Sequence, residues 1–192
     1  MKCAVLGRGD LYQMAKAKRA RGSNHTLRAL SLDEAVGIIE GTFAFAAKRK
    51  LRPLAAIVLD AGGRVKAFLK QDGASLMRFE IAYGKAFAAL ALGRSSRLVL
   101  QKSREKPIFM ANLEKLADGP MFLEGGGQLI RDTAGEVIGA IGVTGDVNEM
   151  DDLAAVDGIH SVGFRSDYDF ADPDDMHALN IKEDVLPKPP KR

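Results

Sequence analysis

The chain of 192 residues predicts an α+β domain built on an antiparallel sheet with flanking helices. Two observations carry this. Apolar strand-like runs come in pairs joined by tight Gly-containing turns, as hairpins do, and the helical segments are grouped between those pairs instead of alternating with single strands. Length and a 46% hydrophobic content allow one core with extensions at both ends.

The first helix starts at Ser31-Leu32-Asp33-Glu34, where Ser31 can accept from the backbone N–H three residues on and Glu34 can reach back. Apolar residues at Ala35, Ile38, Ile39, Phe43 and Ala46 then form one face to about Lys50, and Arg52-Pro53 ends it. Leu54–Asp60 is a short apolar strand. Ala61-Gly62-Gly63 turns the chain into Arg64–Lys70, whose alternation places Val65, Ala67 and Leu69 on one side. A second helix, about Ser75–Leu92, is rich in Ala and in Phe79, Tyr83 and Phe87, which predicts a largely buried element closed by Gly93.

Residues 95–117 read as one or two short helices broken at Pro107. Met121–Glu124 reads as a strand leading into Gly125-Gly126-Gly127. Gln128–Arg131 and Glu136–Val143 form a second hairpin across Asp132-Thr133-Ala134-Gly135, and a last helix runs from about Val147 to Ile159. Glu149, Asp151 and Asp152 fall in its first turns, where acids favour the positive end of the helix dipole; that explains them without a metal.

The ends differ from the body. Residues 1–30 hold seven Lys/Arg against Asp10, a net charge of +6, while residues 31–160 carry −1 and residues 161–192 carry −2. The basic balance therefore belongs to the leading arm and not to a folded face, which argues against a nucleic-acid-binding surface. The arm lacks the apolar stretch of a secretory signal, and the closing Asp/Pro-rich segment reads as an extended tail. No run approaches the roughly 18 apolar residues of a membrane span. A single cysteine, Cys3, permits no internal disulfide and no cysteine zinc cluster, so the reducing cytoplasm is the expected compartment.

Recognised catalytic motifs are missing: there is no His-Glu-x-x-His, no Gly-x-Ser-x-Gly and no Walker loop. Two features point to ligand chemistry instead. The glycines Gly125, Gly126 and Gly127, with Gly139, Gly142 and Gly145 in the next strand, either permit close backbone approach or present N–H groups to a carboxylate or carbonyl oxygen. Lys85 is an ammonium in a helix otherwise full of Ala and Phe. It either lays its stem over apolar surface and pairs with an acid, or faces the glycine loop and binds an anionic ligand group.

Gly139-Ala-Ile-Gly-Val-Thr-Gly145 followed by Asp151-Asp152 and Ala155, with Val58-Leu59-Asp60-x-Gly-Gly, Asp72-Gly73-Ala74 and Lys85-Ala86, resembles the GlcG/HbpS haem-binding family, which includes the carboxy-terminal domain of PduO-type proteins. The resemblance covers about residues 31–160. It implies a profilin-like α+β domain with a five-stranded antiparallel sheet, assembled as dimers or larger rings such as octamers, with haem bound by some members. Two departures stand out. The family's Gly-Gly-x-Pro loop is here Gly126-Gly127-Gln128-Leu129, and the histidine that haem-binding members carry near the first helix is absent from residues 32–50.

The histidines are His25, His160 and His177, of which His25 and His160 are the candidate iron ligands; Tyr83 and Met77 on the second helix are further donor types. The leading expectation is thus a small-ligand-binding protein taking haem or a related tetrapyrrole. Its pocket would lie between the second helix and the glycine-rich strands, with Lys85, Gly125–Gly127, Thr144 and Gly145 as contacts. The alternative is an enzyme acting on a small carbonyl or carboxylate metabolite in a catabolic pathway, with Lys85 as charge or base, Asp60 or Asp72 as second polar group and the glycine loop as oxyanion site. A third reading is an accessory subunit whose arm and tail bind a partner.

Overall fold

The computed structural model describes residues 28–117 and 119–170. Helix α1 (Leu32–Arg49) opens on the expected capping box, with Ser31 Oγ accepting from Glu34 N and the Glu34 carboxylate accepting from Ser31 N. Strands β1 (Ala55–Asp60) and β2 (Val65–Lys70) form the first hairpin. Asp60 Oδ1 accepts from the N–H groups of Gly62 and Arg64 at 2.9 and 3.0 Å, so this carboxylate holds the turn. Helix α2 (Arg78–Leu92) ends at Gly93, which takes the left-handed conformation at φ 66°.

Helices α3 (Ser96–Glu105) and α4 (Pro107–Leu116) divide at Pro107, which cannot supply the N–H an interior helical position needs. The second hairpin pairs β3 (Gly127–Arg131) with β4 (Val137–Thr144), and α5 (Asn148–Ser161) follows.

The sheet is antiparallel, with four strands in the order β2-β1-β4-β3. The fifth strand expected at Met121–Glu124 is irregular chain. Its polar backbone is spent on helices: Phe122 N donates to Gly84 O at 3.1 Å, and Glu124 O accepts from the Ser96 hydroxyl. The free side of β3 is met instead by Arg165, whose backbone exchanges hydrogen bonds of 2.8 and 2.9 Å with Arg131. Folded chain thus continues beyond α5 to Phe170, with Phe164 buried in the core.

Both faces of the central strands are covered. Ala56 and Val58 of β1, with Ile141 and Val143 of β4, meet Ile38 and Ile39 of α1 and Ala155 and Ile159 of α5. The alternate residues Ile57, Leu59 and Ala140 meet Ala82, Ala86 and Ala89 of α2. This period-two division explains why β1 reads as an unbroken apolar run. The outer strand β2 breaks the period. Leu59 pairs with Val65 while the adjacent Val58 pairs with Ala67, leaving Lys66 as a bulged residue. The expectation that Val65, Ala67 and Leu69 share a side is therefore corrected: the extra residue turns Val65 to the α2 face, beside Phe68.

Helix α2 lies almost in backbone contact with the sheet. A Cβ on Gly142 would stand 2.0 Å from Ala82 O, and one on Gly127 would stand 2.3 Å from Lys85 O. Neither oxygen can yield without moving the helix. Gly142→Ala is expected to cost about 3 kcal/mol or more by overpacking. At roughly 2–4 °C per kcal/mol for a chain of this size, the melting temperature should fall by about 6–12 °C, as calorimetry would show.

Candidate functional site

The residues that sequence patterns single out divide between two ends of the sheet. Asp60 lies at the Gly139 end of β1, whereas Lys85 reaches Val143, near the Thr144 end of β4. Four residues of strand, about 13 Å, separate the two positions. Asp72 is exposed on the loop after β2, beside Pro53 and Gln71. An arrangement in which Asp60 assists Lys85 is therefore not assembled within this chain, and the exposed Asp72 does not share the buried position of Lys85.

Lys85 is only 2% exposed. Its ammonium donates to Asp151 Oδ2 at 3.0 Å and to Val143 O at 3.1 Å, so it pairs with an acid inside the protein. Asp151 Oδ1 also accepts from Asp146 N at 3.0 Å. Burial raises the Asp151 pKa above the ordinary carboxylate range and outweighs the attraction of Lys85. The neighbouring Asp152 gathers the glycine loop: its Oδ1 accepts from Gly126 N at 2.6 Å and Gln128 Nε2 at 3.0 Å, and its Oδ2 from Arg97 Nε at 2.5 Å. Gly127 N donates to Ser96 Oγ at 2.8 Å.

The N–H groups of Gly126 and Gly127 are thus directed at the protein's own oxygens. A Cβ on Gly125 would come within 2.8 Å of Asp152 Oδ2, so this loop is glycine for close approach. Thr144 Oγ1 accepts from Arg78 Nη1 at 2.9 Å, and Gly145 packs against Leu54 and the Pro53 carbonyl. No gap separates α2 from the glycine strands where a pocket was expected.

Dipole preference alone thus understates Asp151 and Asp152: both are buried and each ties a loop to a helix. Arg97, Gln128 and Tyr168 belong to the same interior network, and sequence reasoning passed over all three. Tyr168 is half-buried, with its hydroxyl enclosed near Gln128 and Ser95; burial and the Asp152 charge push its phenol far up. Gln128 carried the one available signal, an amide directly before the apolar pair Leu129-Ile130.

His160 closes α5 with Nε2 at 2.8 Å from Asp169 Oδ2. That carboxylate is also held by Ser166 N, and the His160 and Ser166 contacts overcome burial to keep its pKa below the usual value. His25, His177 and Cys3 lie outside the described residues. Among the described residues no cluster of three His, Cys, Asp or Glu could hold a metal ion, and no helix is long and apolar enough to cross a membrane.

The outer face of α2 differs from the expected buried element. Phe79, Tyr83 and Phe87 form a row at helical spacing, with centroids 6.3 and 5.9 Å apart and planes within 19°. Phe68 of β2 meets Phe79 edge to face at 5.0 Å. Phe79 is 40% exposed and Met77 55%, and Tyr83 and Phe87 are half-buried. Full burial on α2 is confined to its small residues and Lys85.

Comparison with known proteins agrees with this architecture. The family model of haem-degrading HbpS-like proteins matches residues 30–160. The chain belongs to this HbpS-like family. No curated protein sequence matches the chain. Among solved structures, PduOC in its haem complex superposes with a TM-score of 0.63 at 23% identity, covering 71% of this chain and 97% of that one. A double mutant of Streptomyces reticuli HbpS gives 0.61 at 22% identity, covering 83% and 97%. Klebsiella pneumoniae protein ORFY gives 0.62 at 21% identity, covering 73% and 95%. At these identities the structural likeness establishes the shared fold.

The Lys85–Asp151 pair yields a double-mutant test. Lys85→Met should destabilise the protein by about 3–5 kcal/mol at pH 7, because it strands a buried carboxylate. Lys85→Met/Asp151→Asn, which keeps an acceptor for Asp146 N, should recover most of that loss in urea denaturation. A carboxylate whose folded pKa lies above its unfolded value favours folding more as pH falls between the two. The deficit of Lys85→Met should accordingly shrink as pH approaches about 4, the ordinary carboxylate value.

Proposed function

We propose that this protein binds haem or a related tetrapyrrole. The observation that carries the reading is the match of residues 30–160 to the haem-degrading HbpS-like family. The haem complex of the structural neighbour PduOC supports it. The surface of this chain fits such a ligand in one respect that does not depend on ancestry: the half-exposed rings of Phe79, Tyr83 and Phe87 are the kind of apolar surface on which a flat macrocycle packs.

The residues first expected to line a pocket serve a different part of this proposal. Lys85, Asp151 and Asp152 fasten the glycine loop and α2 to the sheet, so they fix the shape of the binding face from behind. Iron ligation by His25 remains part of the reading, in an arm outside the described residues. His160 is held by Asp169 through Nε2, and its Nδ1 is buried without a hydrogen-bond partner, so it is the second candidate donor. Assembly as a homo-oligomer of dimers or octamers and a cytoplasmic location complete the proposal.

Titration of the purified full-length chain with haemin tests it. A saturable shift of the Soret band with a dissociation constant in the micromolar range or below is expected. A spectrum that remains that of free haemin at every protein concentration would overturn the reading.

A further inference from the structure

We infer that the ligand lies in a shallow trough on the outer face of α2, with its ring plane against the aromatic row and its carboxylates at the lysines of β2; this rests on the tetrapyrrole reading above. Three features build the trough. Its floor is the row Phe79, Tyr83, Phe87, whose ends are eight helical steps apart, about 12 Å, the order of a porphyrin's width.

One wall is β2. Phe68 meets Phe79, and a Cβ on Gly63, in the turn that leads into the strand, would lie 3.9 Å from Phe87, so strand and helix run alongside each other in opposite directions. The other wall is the chain from Gly119 to Phe122. A Cβ on Gly119 would come 2.9 Å from the Phe87 ring, and one on Gly84 would come 2.7 Å from Phe122 Cβ. The irregular chain that replaces the expected fifth strand is therefore what gives the trough its second side.

The bulge at Lys66 makes the β2 wall suitable. By turning Val65 to the α2 side it lines the wall with Val65 and Phe68 together, and Val65 is left 47% exposed. Lys70 points to the same face as Phe68, two residues along, and Lys66 stands at the bulge. The strand carries two lysines and no acid. An exposed apolar face flanked by ammonium groups suits a flat ligand bearing carboxylates. It suits a second copy of this chain less well, since two such edges brought together would set lysine against lysine.

Ring packing and lysine–carboxylate contacts do not require iron. Iron-free protoporphyrin should therefore also bind saturably, though more weakly than haemin by the contribution of any iron ligand. The test compares both porphyrins on the full chain, on Lys66→Glu/Lys70→Glu, whose exposed positions leave the core untouched, and on Phe79→Ser, with melting temperature and sedimentation measured in parallel. The expected result is at least tenfold weaker binding of both porphyrins to the lysine variant, and to Phe79→Ser in its folded state.

Unchanged affinity in the lysine variant, with the wild-type chain binding haemin, overturns the trough and leaves the tetrapyrrole reading intact. Binding of haemin but not of the iron-free ring also overturns the trough, because an iron ligand would then anchor the group. No binding to the wild-type chain overturns both. A Phe79→Ser variant that keeps its affinity but sediments as a smaller species would make the row a contact between copies.

Discussion

Everything in this domain is arranged around one close contact, the approach of α2 to the sheet at Gly127 and Gly142. Helix and strands touch backbone to backbone there, and a side chain larger than hydrogen at either glycine would part the two layers. At this separation the helix can present only small residues inward, Ala82, Ala86 and Ala89. Lys85 is the exception, and its ammonium is consumed by Asp151 and the Val143 carbonyl directly beneath. The larger side chains of α2 are left to the outside. A helix rich in alanine and aromatics is thus buried on its small face and only half-buried along its aromatic row.

The same contact sets the electrostatics of the interior. Two carboxylates at the start of α5 are taken from water, and each is balanced from a different element: Asp151 by α2, and Asp152 by α3 and the glycine loop. Buried charges without such partners would be intolerable. The network consequently joins helices that share few apolar contacts. It also explains why glycine N–H groups of a kind that elsewhere greet ligands are directed inward here.

Much of the fold was legible because it is written locally. Ser31 and Glu34 sit at capping-box spacing, Asp60 and Gly63 at turn spacing, and Pro107 can only begin a helix. Alternation along β1 and β4 was hidden by burial on both faces, yet strand length and turns sufficed. The fifth strand failed because Met121–Glu124 has strand-like composition while its hydrogen-bond partners lie on α2 and α3, far away in sequence. The bulge at Lys66 failed similarly: nothing in Val-Lys-Ala-Phe-Leu-Lys marks the extra residue, which appears only in pairing with β1. As for the site, the motifs identified residues that matter, but the glycines and Lys85 are compatible with either ligand contact or close packing. Only distances decide between those two roles.

The two borders of the sheet are finished in different ways, and this bears on how the chain behaves in a crowded solution. Beside β3, Arg165 occupies part of the border with chain from the same molecule. Along β2, a kinked and lysine-bearing strand makes a poor template for another strand. Strand-by-strand growth into fibrils is therefore obstructed at both borders by local features of sequence. A single-residue deletion at Lys66 would straighten that border and remove one of its charges together, which makes this position a sensitive point for aggregation.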